Sequence, residues 1–483
     1  MANSNKYELV VGLEVHAQLQ TNSKLFCGDS AVFSSEPNIN VSPITLAHPG
    51  TLPKMNKKAI SFALKLGLAM HCDIEQHNYF ARKNYFYPDL PKGYQVSQHT
   101  TPICRNGYLS IETTGGVKKI SLNRIHIEED AGKSVHDIDA HYTSIDLNRA
   151  GVPLLEIVTE PCLHSAEEAF VFLTELRKLL RWLDVCDGNM EEGSMRCDAN
   201  ISVRPAGSTK LGTRVEVKNL NSIRNVKKAI EFESSRLVEL TDNGKPVVQE
   251  TRSFDAATDT TFSLRTKEDA DDYRYFPEPD LAPFHITDTY LEEIRSGLPV
   301  LPETLERKYV EQLGLPTYDA HVICDDRDQA FYFEELRQHS INHKSAANWI
   351  LGPVKSFLND NNLPIADFKL SPVKLASLIS LVEEGKISFG NASTKIFSAL
   401  IEDQARDPLQ LAVEMNLLQE KDSSSLEAWV DEVLSRMPDK VKEYKSGKKG
   451  LIGLFAGEVK KISKGKADMQ AINTILEEKL NSR

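Results

Sequence analysis

The segment Glu8-Leu9-Val10-Val11-Gly12-Leu13-Glu14-Val15-His16 decides how the first half of the chain is read. It alternates from Leu13 onward, and β-branched valines run through it. Period-2 alternation is the signal of a strand with one face buried and one face wet. Leu13 and Val15 fall on one face, Glu14 and His16 on the other. Asn200-Ile201-Ser202-Val203 and Arg214-Val215-Glu216-Val217-Lys218 repeat the pattern. Such strands, half solvated, predict a mainly antiparallel sheet. Solvated strand faces favour good β-formers such as threonine, whereas Asp, Asn and to a lesser degree Glu are depleted. Here Glu14, His16, Asp198, Asn200 and Glu216 occupy those faces, which points to one acidic concavity built on a sheet.

Two helices interrupt the strands. Ser165-Ala166-Glu167-Glu168 is a capping box, followed by an apolar stripe of Phe170, Leu173, Leu176, Leu180 and Leu183 and a stop at Asp187-Gly188. Lys57 to Met70 predicts the second. Gly297-Leu298-Pro299-Val300-Leu301-Pro302 has the composition of a linker, and beyond it the strand signal fades. Helices are expected over 303–314, 329–338, 344–359, 372–384 and 391–402, with a further helical unit from 407. The fold class is therefore α+β: a sheet domain over 1–293, an all-α domain over 294–406 and a small helical tail over 407–483.

The chain of 483 residues is 41% hydrophobic and 26% charged, an ordinary globular mixture. No run of about 18 apolar residues suggests a membrane span. The N-terminus lacks a secretory apolar region, so a cytoplasmic location is expected. Seven scattered cysteines without C-x-x-C spacing suggest free thiols rather than a zinc knuckle or redox pair. The net charge is −12, yet residues 436–483 carry +6, leaving −18 on the rest. A basic appendage on an acidic body fits one local contact with a phosphate backbone and excludes bulk nucleic-acid binding.

Two acidic clusters add to the sheet-face carboxylates, His126-Ile127-Glu128-Glu129-Asp130 and Met190-Glu191-Glu192-Gly193-Ser194. Crowded carboxylates repel, and a divalent cation offsets that cost. Mg²⁺ takes oxygen ligands, while Mn²⁺ accepts an imidazole such as His16 more readily. Gly132-Lys133-Ser134 is no phosphate loop, because the earlier glycine of that motif is replaced by Ile127. Arg82-Lys83-Asn84-Tyr85-Phe86-Tyr87-Pro88-Asp89 and Asp271-Asp272-Tyr273-Arg274-Tyr275-Phe276-Pro277 interleave basic and aromatic side chains. Such segments suit a nucleotide or a tRNA acceptor end, or else aromatic loops that fill the core.

These segments, with Gly12–His16, Glu128–Lys133, Asp146-Leu147-Asn148-Arg149 and Met190–Ser194, resemble in order the signatures of the tRNA-dependent amidotransferase B-subunit family. The resemblance implies a cradle-shaped catalytic domain. It also implies an ATP-dependent ligase that phosphorylates the side-chain carboxylate of misacylated Glu-tRNA(Gln) or Asp-tRNA(Asn) and lets ammonia displace the phosphate. By the same resemblance Glu14, His16, Glu129 and Glu156 match Mg²⁺ ligands with Asp198 nearby, and Glu14, Glu129 and Lys83 serve catalysis. Lys83 and Tyr85 are assigned to ATP or the aminoacyl end. The implied partners are a glutaminase, which is the family's A-subunit, a small C-subunit, and misacylated tRNA. Many members of the family carry a zinc-binding C-x-C and C-x-x-C pair. Here those positions read Cys27-Gly28-Asp29 and Ser42-Pro43-Ile44-Thr45, so no zinc is expected. The competing reading is a non-catalytic tRNA-binding subunit, which would need a basic face where this sequence puts an acidic one. Deleting residues 407–483 is expected to weaken tRNA binding and lower its salt dependence by roughly one unit of slope per lost phosphate contact. Equal affinity and slope in filter binding would give the tail another role.

Overall fold

The computed structural model describes residues 6–34, 36–266, 273–419 and 422–481. Asp271 and Asp272 of the second aromatic motif lie outside them. The chain divides into two compact units, Met1–Leu301 and Pro302–Arg483.

In chain order the strands of the first unit are β1 (Tyr7–Gln18), β2 (Asp73–Ile74), β3 (His77–Asn78), β4 (Ala81–Asn84), β5 (Tyr94–Ser97), β6 (Cys104–Arg105), β7 (Tyr108–Thr113), β8 (Gly116–Glu129), β9 (Lys133–Val135), β10 (Ser144–Asp146), β11 (Pro153–Thr159), β12 (Met195–Pro205), β13 (Val215–Lys218), β14 (Glu250–Asp255), β15 (Thr260–Thr266), β16 (Phe276–Pro277) and β17 (Phe284–His285). Ten of them form one sheet in the order β15-β14-β13-β12-β1-β11-β8-β6-β2, with β7 paired to β8. Every pairing in it is antiparallel except β13 with β14. The expectation of a mainly antiparallel sheet followed by helices holds. Smaller sheets join β16-β4-β5, β17-β3 and β9-β10.

One face of the large sheet is dry. Leu13 and Val15 of β1, Ile125 and Ile127 of β8, Ile157 of β11 and Ala199 and Ile201 of β12 are buried there. Helices α1 (Lys57–Ala69), α2 (Ala166–Trp182) and α3 (Ile223–Asp242) contribute to the same core through Phe62, Phe172, Leu176 and Ile230. The α2 cap forms as the sequence suggests, Ser165 Oγ accepting from the Glu168 N–H at 3.0 Å. The Glu168 carboxylate reaches back to the His164 N–H at 2.7 Å, one residue earlier than in a closed capping box. The helix also stops earlier than Asp187, at Trp182, because Asp184 turns into the left-handed region at φ 53°. A fourth helix, α4 (Asp288–Ser296), packs on α1 and belongs to the first unit.

The named elements of the second unit are all helices, with one isolated antiparallel bridge between Ile387 and Leu418. The stretch expected as one helix over 344–359 is His343–Trp349, a wide π turn at Ile350–Val354, and Lys355–Asn361. Pro353 lies in that turn and has no N–H to give the regular ladder. The helix Thr317–Ile323 has too short a periodic run to stand out in the sequence. Leu426, Val430, Tyr444, Phe455, Ile472 and Leu476 belong to a cluster that gives the last helices their own core. No helix among the described residues is long and apolar enough to cross a membrane.

Glu233 of α3 is completely buried and ties the helix to the far edge of the sheet. It accepts from Arg236 Nη2 at 2.7 Å, lies 3.1 Å from Arg252 Nε of β14 and bonds the Thr261 hydroxyl of β15. Removing one partner of such a network leaves uncompensated charge behind. Glu233→Ala is therefore expected to cost about 3–5 kcal/mol. Amide hydrogen exchange checks this: protection in α3 and β14 should fall, and unchanged protection would refute the assignment.

Candidate active site

The polar face of the sheet is assembled by register. In β1, Glu14 stands opposite Val158 of β11 and Asp198 of β12, and His16 stands opposite Glu156 and Arg196. Glu156 in turn faces His126 of β8. Cross-strand partners share a face, and so do residues two apart. Glu14, His16, His126, Glu128, Glu156 and Asp198 therefore project to the same side, although more than a hundred residues separate some of them.

They converge there. His16 Nε2 lies 3.6 Å from Glu14, 3.7 Å from Glu128 and 3.4 Å from Glu156. His126 Nε2 lies 3.5 Å from both Glu128 and Glu156. One ligand atom from each of Glu14, His16 and Glu156 falls within 4.8 Å of the others, and the same holds for His126, Glu128 and Glu156. Carboxylate oxygens joined by imidazole nitrogens at this spacing fit a divalent cation.

The electrostatics are divided among the members. Burial works against a charged His16, but the Glu156 hydrogen bond and the charges of Glu156, Glu128 and Glu14 outweigh it and lift the imidazole to about 9. Burial would raise Glu156, yet His126, His16 and Lys83 hold its carboxyl well below the usual range. Glu14 moves the other way, raised by burial and by the charge of Glu156. Neighbouring carboxyls pushed in opposite directions are suited to different roles.

Glu129 does not join the cluster. Its carboxylate accepts from the Val96 N–H at 2.8 Å and pairs with Lys92, on the other side of β8. The two-residue repeat dictates this, because Glu128 and Glu129 are consecutive in one strand and point to opposite faces. Glu128 takes the place expected of Glu129. Asp198 lies beside Glu14 but is held by Lys218, which also approaches Glu216 at 3.3 Å. Glu191 and Glu192 sit on an exposed turn whose N–H groups bond the Asn189 side chain, away from the cluster.

The two aromatic motifs meet, as β4 pairs with β16 and Asn84 Nδ2 donates to the Arg274 carbonyl at 2.8 Å. Lys83 Nζ stands 5.0 Å from the Tyr273 ring centre and 5.6 Å from that of Tyr85. Burial opposes its charge, but Glu128 leads the groups that raise its pKa and keep it cationic. The Tyr85 hydroxyl donates to Gln95 at 3.2 Å. His99, which no sequence motif marks, stacks on Tyr275 with ring centres 3.9 Å apart and planes 7° from parallel. His126 also escaped the sequence reading as a site residue. Its signal was its parity with Glu128, the same i, i+2 spacing as Glu14 and His16.

Cys27, Asp29, Ser42 and Thr45, the positions at which the sequence predicts no zinc, are engaged with one another. Asp29 accepts from the Ser42 N–H at 2.8 Å and from the Thr45 hydroxyl at 2.5 Å, and Cys27 Sγ lies 3.5 Å from Thr45 Oγ1. One thiol, one carboxylate and two hydroxyls do not match a structural zinc site, which takes four thiolate or imidazole ligands.

A cation bound through His16 must displace its proton, so affinity should rise with pH up to about 9, by about tenfold per unit if one proton is released. Mn²⁺ titration calorimetry at pH 7 and 8 measures this. Glu128→Gln is expected to weaken Mn²⁺ at least about tenfold and Glu129→Gln by less than about twofold. The reverse order would move the cation to the other face of β8.

A family model described as the GatB/GatE catalytic domain matches residues 9–292, and one described as the GatB domain matches residues 331–480. The chain is 50% identical over 479 residues to the aspartyl/glutamyl-tRNA(Asn/Gln) amidotransferase B-subunit of Geotalea uraniireducens (strain Rf4), covering 99% of this chain and 100% of the relative. It is 46% identical over 477 residues to the protein of the same name from Syntrophotalea carbinolica (strain DSM 2380 / NBRC 103641 / GraBd1), with 99% of each chain covered. The one from Chlorobium chlorochromatii (strain CaD3) is 48% identical over 474 residues, covering 98% of this chain and 99% of the relative. With both models in order and these relatives covered from end to end, the chain belongs to the aspartyl/glutamyl-tRNA(Asn/Gln) amidotransferase B-subunit family.

Proposed function

We propose that this chain performs the activation and amidation steps of a glutamine-dependent tRNA amidotransferase. A side-chain oxygen of aspartate or glutamate misacylated to tRNA attacks the γ-phosphorus of ATP, and the bond from that phosphorus to the bridging oxygen breaks to release ADP. Ammonia then attacks the acyl carbon, the carbon–oxygen bond to phosphate breaks, and nitrogen loses a proton as the amide forms. The observation that carries this reading is the meeting of Glu14, His16, Glu128 and Glu156 beside Lys83 on one sheet face.

Glu14, His16 and Glu156, flanked by Glu128 and His126, would hold a divalent cation, Mg²⁺ or, given the imidazoles, Mn²⁺. Such a cation supplies charge neutralisation to the transferring phosphoryl group. Lys83, kept protonated by the acidic field, orients the incoming carboxylate or the acyl phosphate. Glu156, with its lowered pKa, remains an anion throughout.

Ammonia at neutral pH is mostly ammonium and unreactive, which makes a glutaminase A-subunit, with a small C-subunit, the fitting partners. The tail supports tRNA contact. Lys448 and Lys461 are drawn to Glu443 and Glu458, while Lys460, Lys464 and Lys466 have no described ion pair and are available to phosphates. The chemistry belongs with protein synthesis in the cytoplasm.

In the enzyme assembled with its partner subunits, Glu14→Gln is expected to lower tRNA-dependent ADP formation at least about 100-fold, the scale of removing a group that acts in the transition state. Binding of misacylated tRNA should stay within about threefold of wild type. Undiminished ADP formation would instead leave the chain a tRNA-binding subunit whose acidic face is structural.

A further inference from the structure

Away from the acidic cluster, the first unit brings two of the scattered cysteines together. After α1 the chain turns at His71, whose φ of 57° lies in the left-handed region, and enters β2. Cys104 of β6 stands opposite Ile74 of β2. Cys72 lies two residues before Ile74, which makes it the diagonal neighbour of Cys104 across the two strands. The two side chains hydrogen-bond one another.

Glycines make room for both sulfurs. A Cβ at Gly67 of α1 would stand 2.3 Å from Cys104 Sγ, and one at Gly107, where φ is 91°, would stand 2.6 Å from Cys72 Sγ. A larger residue at either place would push a sulfur out of the contact. The two thiols differ in access. Cys104 is fully buried behind α1, its Sγ 3.7 Å from the Ala63 carbonyl oxygen. Cys72 is half-buried at the rim of the sheet and donates to the Asn106 carbonyl at 3.2 Å. A reagent from solution therefore meets Cys72 first, with Cys104 behind it. Cys27 and Cys162, also half-buried, face oxygen instead, Thr45 Oγ1 at 3.5 Å and the Ser121 carbonyl at 3.9 Å.

We propose that Cys72 and Cys104 form a site of reversible oxidation, closed to a disulfide by a small-molecule disulfide. The Cys72 thiolate attacks one sulfur of the reagent, the reagent's S–S bond breaks, and one thiolate leaves. The Cys104 thiol then gives up its proton and attacks the Cys72 sulfur of the mixed disulfide, expelling the second thiolate. Two protein thiols are oxidised and one reagent disulfide is reduced to two thiols. Closing the contact to the ~2.0 Å of an S–S bond takes a shift on the order of an ångström or two, which the turn at His71 absorbs more readily than the ladder. The bond would tie the end of α1 to β6, whose Cys104 pairs with Ile125 of β8, the neighbour of His126. It would stiffen the sheet edge behind the acidic cluster without reaching the polar face. In a thiol-reducing compartment such a bond is transient, formed under oxidant and removed afterwards.

The full-length chain is incubated with oxidised glutathione, quenched in acid, unfolded, alkylated with N-ethylmaleimide and digested with trypsin. Mass spectrometry is expected to find the peptides 66–82 and 93–105 joined, and to lose the joined species after dithiothreitol. The link should form at least about tenfold faster in the folded chain than in guanidinium, because the fold holds the second thiol beside the first. Cys72→Ser, a change at the rim, should leave Cys104 alkylated and unlinked. Cys104→Ser should stop at glutathione on Cys72. Wild type that carries glutathione on Cys72 beside an alkylated Cys104, or that stays alkylated at both, would overturn the proposal. So would a link that forms no faster in the folded chain, or one that joins Cys72 to Cys27 or Cys162 in preference to Cys104.

Discussion

Strand β1 is paired with β12 from Tyr7 to Ala17 and with β11 from Glu14 to Gln18, and everything at the candidate site depends on that double register. A slip of one residue would carry Glu14 and His16 into the core and push Leu13 and Val15 into water. Leu13 and Val15 are buried to 1% and 0% exposure against α1 to α3, so the hydrophobic face locks the pairing. Function on the polar face is thereby positioned by apolar packing on the other. The acidic side chains need no local structure of their own; the strands deliver them in rows.

A price in electrostatics accompanies this convergence, and the structure shows how it is met. Cations are interleaved with the carboxylates: a protonated His16 within the cluster, Lys218 beside Asp198, Lys83 near Glu128 and Glu156. The His16 imidazole supplies counter-charge from within the cluster. A divalent cation entering it would exchange with the proton on His16, which would couple its binding to pH. The opposite displacements of Glu14 and Glu156 follow from position alone. Glu156 lies between two imidazoles, whereas Glu14 lies at the edge next to further carboxylates.

The loop after β1 is held by side-chain hydrogen bonds. In it Asp29 gathers the Ser42 N–H and the Thr45 hydroxyl beside Cys27. Lys24, fully buried, donates to the carbonyls of Asn40 at 2.7 Å and Leu147 at 3.2 Å and fastens the loop to the sheet domain. These bonds fix the loop with ordinary side-chain chemistry.

Much was legible from the sequence alone, wherever the governing force acts over a few residues. Alternation marked β1, β12 and β13, the Asn56-capped helix from Lys57 ended within a residue of its expected stop, and the polar faces announced their carboxylates. The order of family motifs along the chain needed no coordinates either. Tertiary structure decided what depends on pairing between distant segments. It chose Glu128 over Glu129, because only the register of β8 against β11 says which of two adjacent carboxylates faces His16. It brought His126 into the cluster, laid His99 on Tyr275 and set β14 parallel to β13. It also set the Cys72 thiol against Cys104, two cysteines that lie far apart in the sequence. Local sequence specifies which faces a strand has; only the closed sheet determines which faces meet, since that is settled by burying apolar surface across the whole unit.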